Sequence, residues 1–166
     1  MTVPINGALR VRGVALVVRN PRGEILLVEE GETKPEFGKY AGMFSPPMET
    51  LLYRKEPLLT AVGRLIAEEI PGFSGHITVE EKWRGVYCLD AGPIAALFVG
   101  ETARTDLPSP SQSGGEVNGH RWVHPREALE KWLRAGAWEM IVDYLEDREG
   151  VIRRRCFPPM PLHALL

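Results

Sequence analysis

The first stretch of the chain with a clear pattern is ALRVRGVALVVRN, from Ala8 to Asn20. Leu9 and Val11 alternate with Arg10 and Arg12, and from Val14 to Val18 every side chain is apolar. That change predicts a strand passing from half-buried to buried on both faces. Asn20-Pro21-Arg22-Gly23 reads as a turn, because proline presets one backbone angle and glycine accepts a positive φ. EILLVEE follows as a second strand, and the two are expected to form a hairpin. Gly31 to Gly42 is polar and glycine-bearing, hence a loop. MFSPPMETLLYRK resists assignment, since its consecutive prolines argue against both helix and central strand. A helix is predicted over roughly Glu56 to Ile70. At about 100° per residue, Leu58, Leu59, Val62, Leu65, Ile66 and Ile70 share one side of it. Pro57 is expected in its first turn and Pro71-Gly72 ends it.

Beyond the helix, HITVEEKWRGVYCLD and PIAALFVGET are strand candidates separated by a turn at Asp90-Ala91-Gly92. Thr105 to Gly115 is a Ser/Pro/Gly-rich loop, and EVNGHRWVHP a further strand. PREALEKWLR and AWEMIVDYLEDRE have helical periodicity and are split at Ala135-Gly136. The order is mixed α and β with short connections, which predicts a sheet covered by helices. Residues 1–148 read as one domain. Residues 149–166 are a tail of arginines, prolines and apolar side chains, packing on the domain or on a partner, a second copy of the chain included.

Composition narrows the class without naming a function. A chain of 166 residues suits one domain with a real core, and 44% hydrophobic with 25% charged residues is ordinary for a globular protein. The net charge of −2 gives no basic excess, so no nucleic-acid partner is expected. Cys88 and Cys156 have no metal-like spacing and read as two thiols. The run Val14–Val18 is too short for a signal-peptide core, and nothing approaches a membrane span. A cytoplasmic location and no membrane partner are the expectations.

One helix position is out of place. Glu69 falls inside the apolar stripe, Glu68 lies at its edge, and Leu65 is one turn before both. A carboxylate on a buried stripe costs several kcal/mol, on the order of a lost charge–solvent interaction, unless it is paired or bound to a cation. Either the helix is offset and Glu69 reaches solvent or an arginine, or the adjacent carboxylates bind a hard divalent cation through oxygen.

A wider window is more specific. TLLYRKEPLLTAVGRLIAEEIPG resembles the Nudix box, whose pattern is a glycine, five residues, Glu, seven residues, Arg-Glu, an aliphatic residue, any residue, Glu-Glu, any residue and Gly. Glu56, Arg64, Ile66, Glu68 and Glu69 stand at matching positions. The flanking RGVALVV, GEILLVE and EVNGHRWVHPREAL are similar to the family as well, so the resemblance covers about Val11 to Leu133. It implies an α+β fold, a mixed β-sheet flanked by helices. It also implies hydrolysis of a nucleoside diphosphate linked to another moiety, with Mg²⁺ (Mn²⁺ as the alternative) held by glutamates that activate the attacking water. Glu68 and Glu69 would be the catalytic and metal-binding pair, with Glu116 the best ligand from outside the box. Glu49 and Glu56 are less suited substitutes. Glu56 and Arg64 correspond to the family's structural ion pair. The departures are Thr50 for the first glycine, Leu65 for the glutamate after the arginine, and Pro71 for the closing glycine.

Arg12, Trp83 and Arg84 are candidates to hold a phosphate or stack on a base, although core and solvated-face roles compete. Tyr87 belongs to the same stretch. The histidines show no metal spacing, and His120 is notable only for its closeness to Glu116. Two functions therefore remain open at the level of sequence: a hydrolase of a small nucleotide-like substrate, or a catalytically impaired module that binds such a nucleotide. Assembly through the tail is a third, weaker one.

Overall fold

Strands from distant parts of the chain join one mixed sheet that carries a long helix on each face. The computed structural model describes residues 10–89, 94–109 and 117–156. The strands are β1 (Gly13–Arg19), β2 (Ile25–Glu30), β3 (Phe44–Ser45), β4 (Met48–Thr50), β5 (Thr78–Val79), β6 (Gly85–Cys88), β7 (Ile94–Glu101), β8 (Val117–Val123) and β9 (Val151–Arg153). The helices are α1 (Leu58–Glu69), the short α2 (Pro125–Ala128) and α3 (Ala137–Leu145). The main path through the sheet is β3-β2-β1-β7-β6-β9, with β4 on β1, β5 on β7 and β8 on β2.

The continuous apolar run in β1 is explained by its two buried faces. Val14, Leu16 and Val18 pack with Ala96 and Phe98 under α1, against Leu58, Ala61, Val62, Leu65 and Ile66. Ala15 and Val17 pack with Leu27, Leu97 and Val99 against Ala137, Met140 and Ile141 of α3. β1 runs parallel to β7 along its whole length, from Gly13↔Ala95 to Arg19↔Glu101.

The expected hairpin exists only at its closed end. The turn forms as read, with Gly23 at φ 76° and its N–H donating to the Asn20 carbonyl at 3.0 Å. β1 and β2 pair at Arg19↔Ile25 and then take different partners. β2 pairs with β3 and β8, while β1 pairs with β4. The proline-containing stretch that resisted assignment fills the split. Ser45 pairs with Val28, Met48 with Ala15, and the buried Pro46-Pro47 step crosses between them. Prolines suit this crossing because each lacks the N–H a ladder would demand, and the Pro47 carbonyl still accepts from Leu16 N–H at 3.0 Å.

Several boundaries differ from the pattern-based reading. α1 begins at Leu58, with Pro57 as its N-cap at ψ 134°, so the proline precedes the helix rather than occupying its first turn. Leu59, expected on the apolar stripe, is 44% exposed. The stretch from His76 to Asp90 is two short strands, since residues 80–84 leave the ladder between β5 and β6. PREALEKWLR yields only the short α2, because the chain bends to bring Leu133 alongside Phe44. The turn at Asp90-Ala91-Gly92 lies outside the described residues, as do residues 1–9, 110–116 and 157–166.

The segment expected to be a tail contributes a strand. β9 runs parallel to β6, from Gly85↔Val151 to Tyr87↔Arg153. Asp143 of α3, 1% exposed, anchors it from below. Arg153 donates to both Asp143 oxygens at 3.1 and 2.6 Å, and Tyr87 Oη donates to Asp143 at 2.9 Å. Burial, then the Asp143 hydrogen bond, push the Tyr87 hydroxyl well above its ordinary pKa. The Tyr87 ring lies across Gly85, where a Cβ would come within 2.6 Å of it. Among the described residues no helix is long and apolar enough to cross a membrane.

Removing the Asp143 carboxylate leaves a buried hydroxyl and a half-buried guanidinium unpaired. Asp143→Ala is expected to cost about 2–4 kcal/mol in urea unfolding. Ile152→Ala, at a 44% exposed position, should cost under about 1 kcal/mol.

Candidate functional site

The carboxylates singled out in the sequence lie at the C-terminal end of α1, and β4 brings another to them. Leu65 is fully buried, Glu68 is exposed and Glu69 is half-buried. Residues paired across antiparallel strands share a face, so Val14↔Glu49 puts the Glu49 side chain on the α1 side of the sheet. There its carboxyl is within hydrogen-bonding reach of Glu68 and 3.7 Å from Arg64 Nη1. Thr50 N–H donates to Glu49 Oε1 at 3.2 Å. Burial, and then the Glu68 carboxyl, raise the Glu49 pKa above the usual carboxylate range, against the opposing pull of Arg64.

Arg64 ties this arrangement together. Its Nε and Nη2 donate to the two Glu56 oxygens at 3.0 and 2.8 Å, and Nη2 also donates to the Thr50 carbonyl at 2.9 Å. Glu56, only 5% exposed, additionally accepts from Leu52 N–H at 3.0 Å. The hydrogen bonds from Arg64, then that from Leu52, hold the Glu56 carboxyl below its ordinary pKa. One guanidinium thus connects α1, the end of β4 and the turn between them. The bidentate, planar geometry is one that lysine could not reproduce.

Leu65 packs in the apolar layer with Val14, Leu16 and Phe98. A carboxylate on this side chain would be stripped of water by the sheet beneath it. Glu49 approaches instead from β4, at the edge of that layer. Sequence reasoning ranked it behind Glu116, because the pairing that orients it depends on a strand flanked by prolines. The only local hint was the M-E-T alternation after Pro47, with Glu49 between two residues of opposite facing. Glu116 itself lies outside the described residues. Among the described residues no three His, Cys, Asp or Glu side chains converge as a metal-binding group.

His120 meets the same helix end from β8. Val28↔His120 places it in the ladder, and its Nε2 lies 2.6 Å from the Glu69 carbonyl. A carbonyl only accepts, so Nε2 carries the proton. The imidazole satisfies one of the carbonyls that a helix leaves open in its last turn. Burial lowers its pKa below the ordinary value, and the bond to Glu69 opposes this only in part.

The three candidate substrate residues are not gathered around Glu68 and Glu69. Arg12 is exposed just before β1. Trp83 is half-buried before β6 and lines a cavity of about 230 Å³ with Pro57, Leu58, Leu59, Glu81 and Phe98. That cavity is at the N-terminal end of α1, roughly 15 Å along the helix from its last turn. Arg84 is committed to structure: it donates to both Glu80 oxygens at 2.9 Å and to Asp147 at 2.6 Å. Tyr87 is buried on Asp143, with no face left for a ligand.

A mixed sheet between two helices, split so that a carboxylate-bearing segment crosses beneath the end of one of them, is the architecture of a large structural class. The chain has the Nudix fold. The Caenorhabditis elegans Ap4A hydrolase, in a binary complex, superposes with a TM-score of 0.65 at 16% identity, covering 82% of this chain and 97% of that one. The Nudix domain of Shewanella oneidensis NrtR complexed with ADP-ribose gives 0.62 at 14% identity, over 87% and 92%. The MutT protein from Methanosarcina mazei Go1 gives 0.62 at 18%, over 84% and 96%. No family model matches the sequence, and no curated protein does.

The neutral state of His120 links this helix end to pH. Its folded pKa is depressed, so the unfolded chain takes up the proton first, near pH 6.5. The His120 contribution is therefore present above about pH 6.5 and lost as pH falls toward its folded value. His120→Gln keeps a donor for the Glu69 carbonyl without titrating. Denaturant unfolding between pH 7.5 and 5, measured at about half-unit steps, should lose stability more steeply in the wild type than in this variant.

Proposed function

We propose that this chain hydrolyses a nucleoside diphosphate linked to another moiety, using Mg²⁺ or Mn²⁺ held at the last turn of α1. The observation that carries the reading is the meeting of the Glu49 and Glu68 carboxyls at the last turn of α1. Two carboxyls in hydrogen-bonding reach repel when both are ionised. A hard divalent cation relieves that repulsion through oxygen ligands, so this pair of carboxyls fits such an ion. Glu49 and Glu68 would hold it, with Glu69 from the same helix turn and Glu116 from the segment before β8 as the candidates for further ligands. The bound ion would neutralise diphosphate charge and lower the pKa of an attacking water. Of the chain's own groups, the Glu69 carboxylate would accept the proton that this water gives up. Arg64 would keep β4 and α1 in register, and so keep Glu49 against Glu68. The structural neighbours, an Ap4A hydrolase and a domain with ADP-ribose bound, agree with this substrate class.

A second reading has its own observation. Leu65 stands where the resembled box has a carboxylate, and it is wholly consumed by the core. That favours a module which binds a nucleotide and turns it over slowly or not at all.

A substrate panel separates the two. Diadenosine polyphosphates, ADP-ribose and nucleoside triphosphates are incubated with Mg²⁺ or Mn²⁺, and products are resolved by chromatography. Turnover that falls by at least about 100-fold in Glu69→Gln supports hydrolysis, the scale expected when an acid–base group is removed. Glu49→Gln should weaken Mn²⁺ binding measured by electron paramagnetic resonance by about tenfold, or about 1.4 kcal/mol. An inert wild type that binds these compounds establishes the module instead. Leu65→Glu is expected to lower the melting temperature by at least several degrees and to gain no turnover, because its carboxylate enters the core.

A further inference from the structure

The pairing of β9 with β6 brings together the two cysteines of the chain, which are far apart in sequence. Tyr87↔Arg153 is the last pair of the ladder. Cys88 lies one residue beyond it on β6, and Cys156 three residues beyond it on the other segment. Cys156 turns back toward β6, so that its Sγ accepts from the Cys88 N–H. It packs on the α3 layer together with Leu89, the residue after Cys88. Gly136 leaves the room for both. A Cβ at Gly136 would stand 2.5 Å from Leu89 Cδ2 and 3.7 Å from Cys156 Sγ. The Cys88 thiol is held only by a weak sulfur donor bond to the Leu89 carbonyl at 3.8 Å.

A disulfide needs its two Cβ atoms roughly 3.5–4.5 Å apart. A thiol resting on the other cysteine's own N–H is close to that condition, and rotation about χ1 of Cys88 turns its sulfur toward it. The surroundings suit the oxidised pair better than a thiolate. Burial, then the Glu139 carboxylate, then Cys88 push the Cys156 thiol up to about 12. A disulfide is neutral and apolar, so the same surroundings do not penalise it. Both side chains are half-buried, which leaves a small oxidant a path to them.

We propose that Cys88 and Cys156 are an oxidation site, closing as a reversible disulfide between β6 and the segment after β9 when the protein meets a peroxide. Cys88 reacts first, because Cys156 is held as the thiol. The Cys88 thiolate attacks one oxygen of hydrogen peroxide and the O–O bond breaks. The sulfur becomes a sulfenic acid, and the departing hydroxide takes the proton that Cys88 gave up. The Cys156 sulfur then attacks the Cys88 sulfur and the S–O bond breaks. The Cys156 proton leaves with that hydroxide as water. Two electrons pass from the thiols to the peroxide, which ends as two waters. The bond adds a covalent tie to the Tyr87–Asp143–Arg153 anchor at the same strand pair. It is independent of the nucleotide reading.

The test treats the reduced full chain with a few equivalents of hydrogen peroxide, blocks remaining thiols with N-ethylmaleimide, and digests it with trypsin without reduction. Mass spectrometry should find the peptide Gly85–Arg104 joined to Cys156–Leu166, two hydrogens lighter than their sum, and dithiothreitol should separate them. The linked protein should melt at least about 5 °C higher, because the bond closes a long loop in the unfolded chain. Dithiothreitol should reverse that rise, and neither Cys88→Ser nor Cys156→Ser should show it. Dimedone should trap a sulfenic acid at Cys88 in Cys156→Ser and none at Cys156 in Cys88→Ser. Two separate peptides after peroxide, whether blocked or over-oxidised, overturn the site. So does a link found only between two chains. A linked protein that melts no higher than the reduced one overturns the fit of the bond to the native fold. Dimedone labelling at Cys156 rather than Cys88 overturns the order of the steps.

Discussion

The guanidinium of Arg64 is the interaction on which the rest of the site depends. Glu56 is nearly removed from water, and a carboxylate there is tolerable only because Arg64 and the Leu52 amide both donate to it. The same guanidinium bonds the Thr50 carbonyl and lies beside Glu49. Helix, strand end and intervening turn are therefore held by one planar group. The value of this ion pair lies in position more than in stability. It holds the end of β4, whose pairing with β1 sets the facing of Glu49, against the helix that carries Glu68.

That facing has a second requirement in the sheet. β1 and β2 part after a single closing pair, and the Ser45-Pro46-Pro47-Met48 segment passes from one to the other. The crossing lets Phe44 face α3 while Glu49, a few residues on, faces α1.

Much of this was legible in advance, for reasons that are local. The two-faced strand β1, the turn at Asn20–Gly23, the amphipathic α1 and the spacing of Glu56, Arg64, Glu68 and Glu69 all follow from side-chain periodicity and turn chemistry. The resemblance to the Nudix box rests on that spacing, and the fold agrees with it. Less legible were features that need a partner distant in sequence. Tyr87 and Arg84 looked available from their chemistry, but Asp143, Glu80 and Asp147 had already claimed them. The packing of the tail was open, and β6 draws residues 151–153 of it into the sheet.

Leu65 marks the division. From sequence alone its place on the apolar stripe, and its place where the box asks for a carboxylate, were equally plain, because helical spacing is rigid and local. What stands across from that stripe is not local. Only the tertiary structure placed β4 under α1, turned Glu49 toward Glu68, and left His120 to close the helix end. Those outcomes depend on strand register, and register is decided by the packing of both sheet faces at once rather than by any one segment.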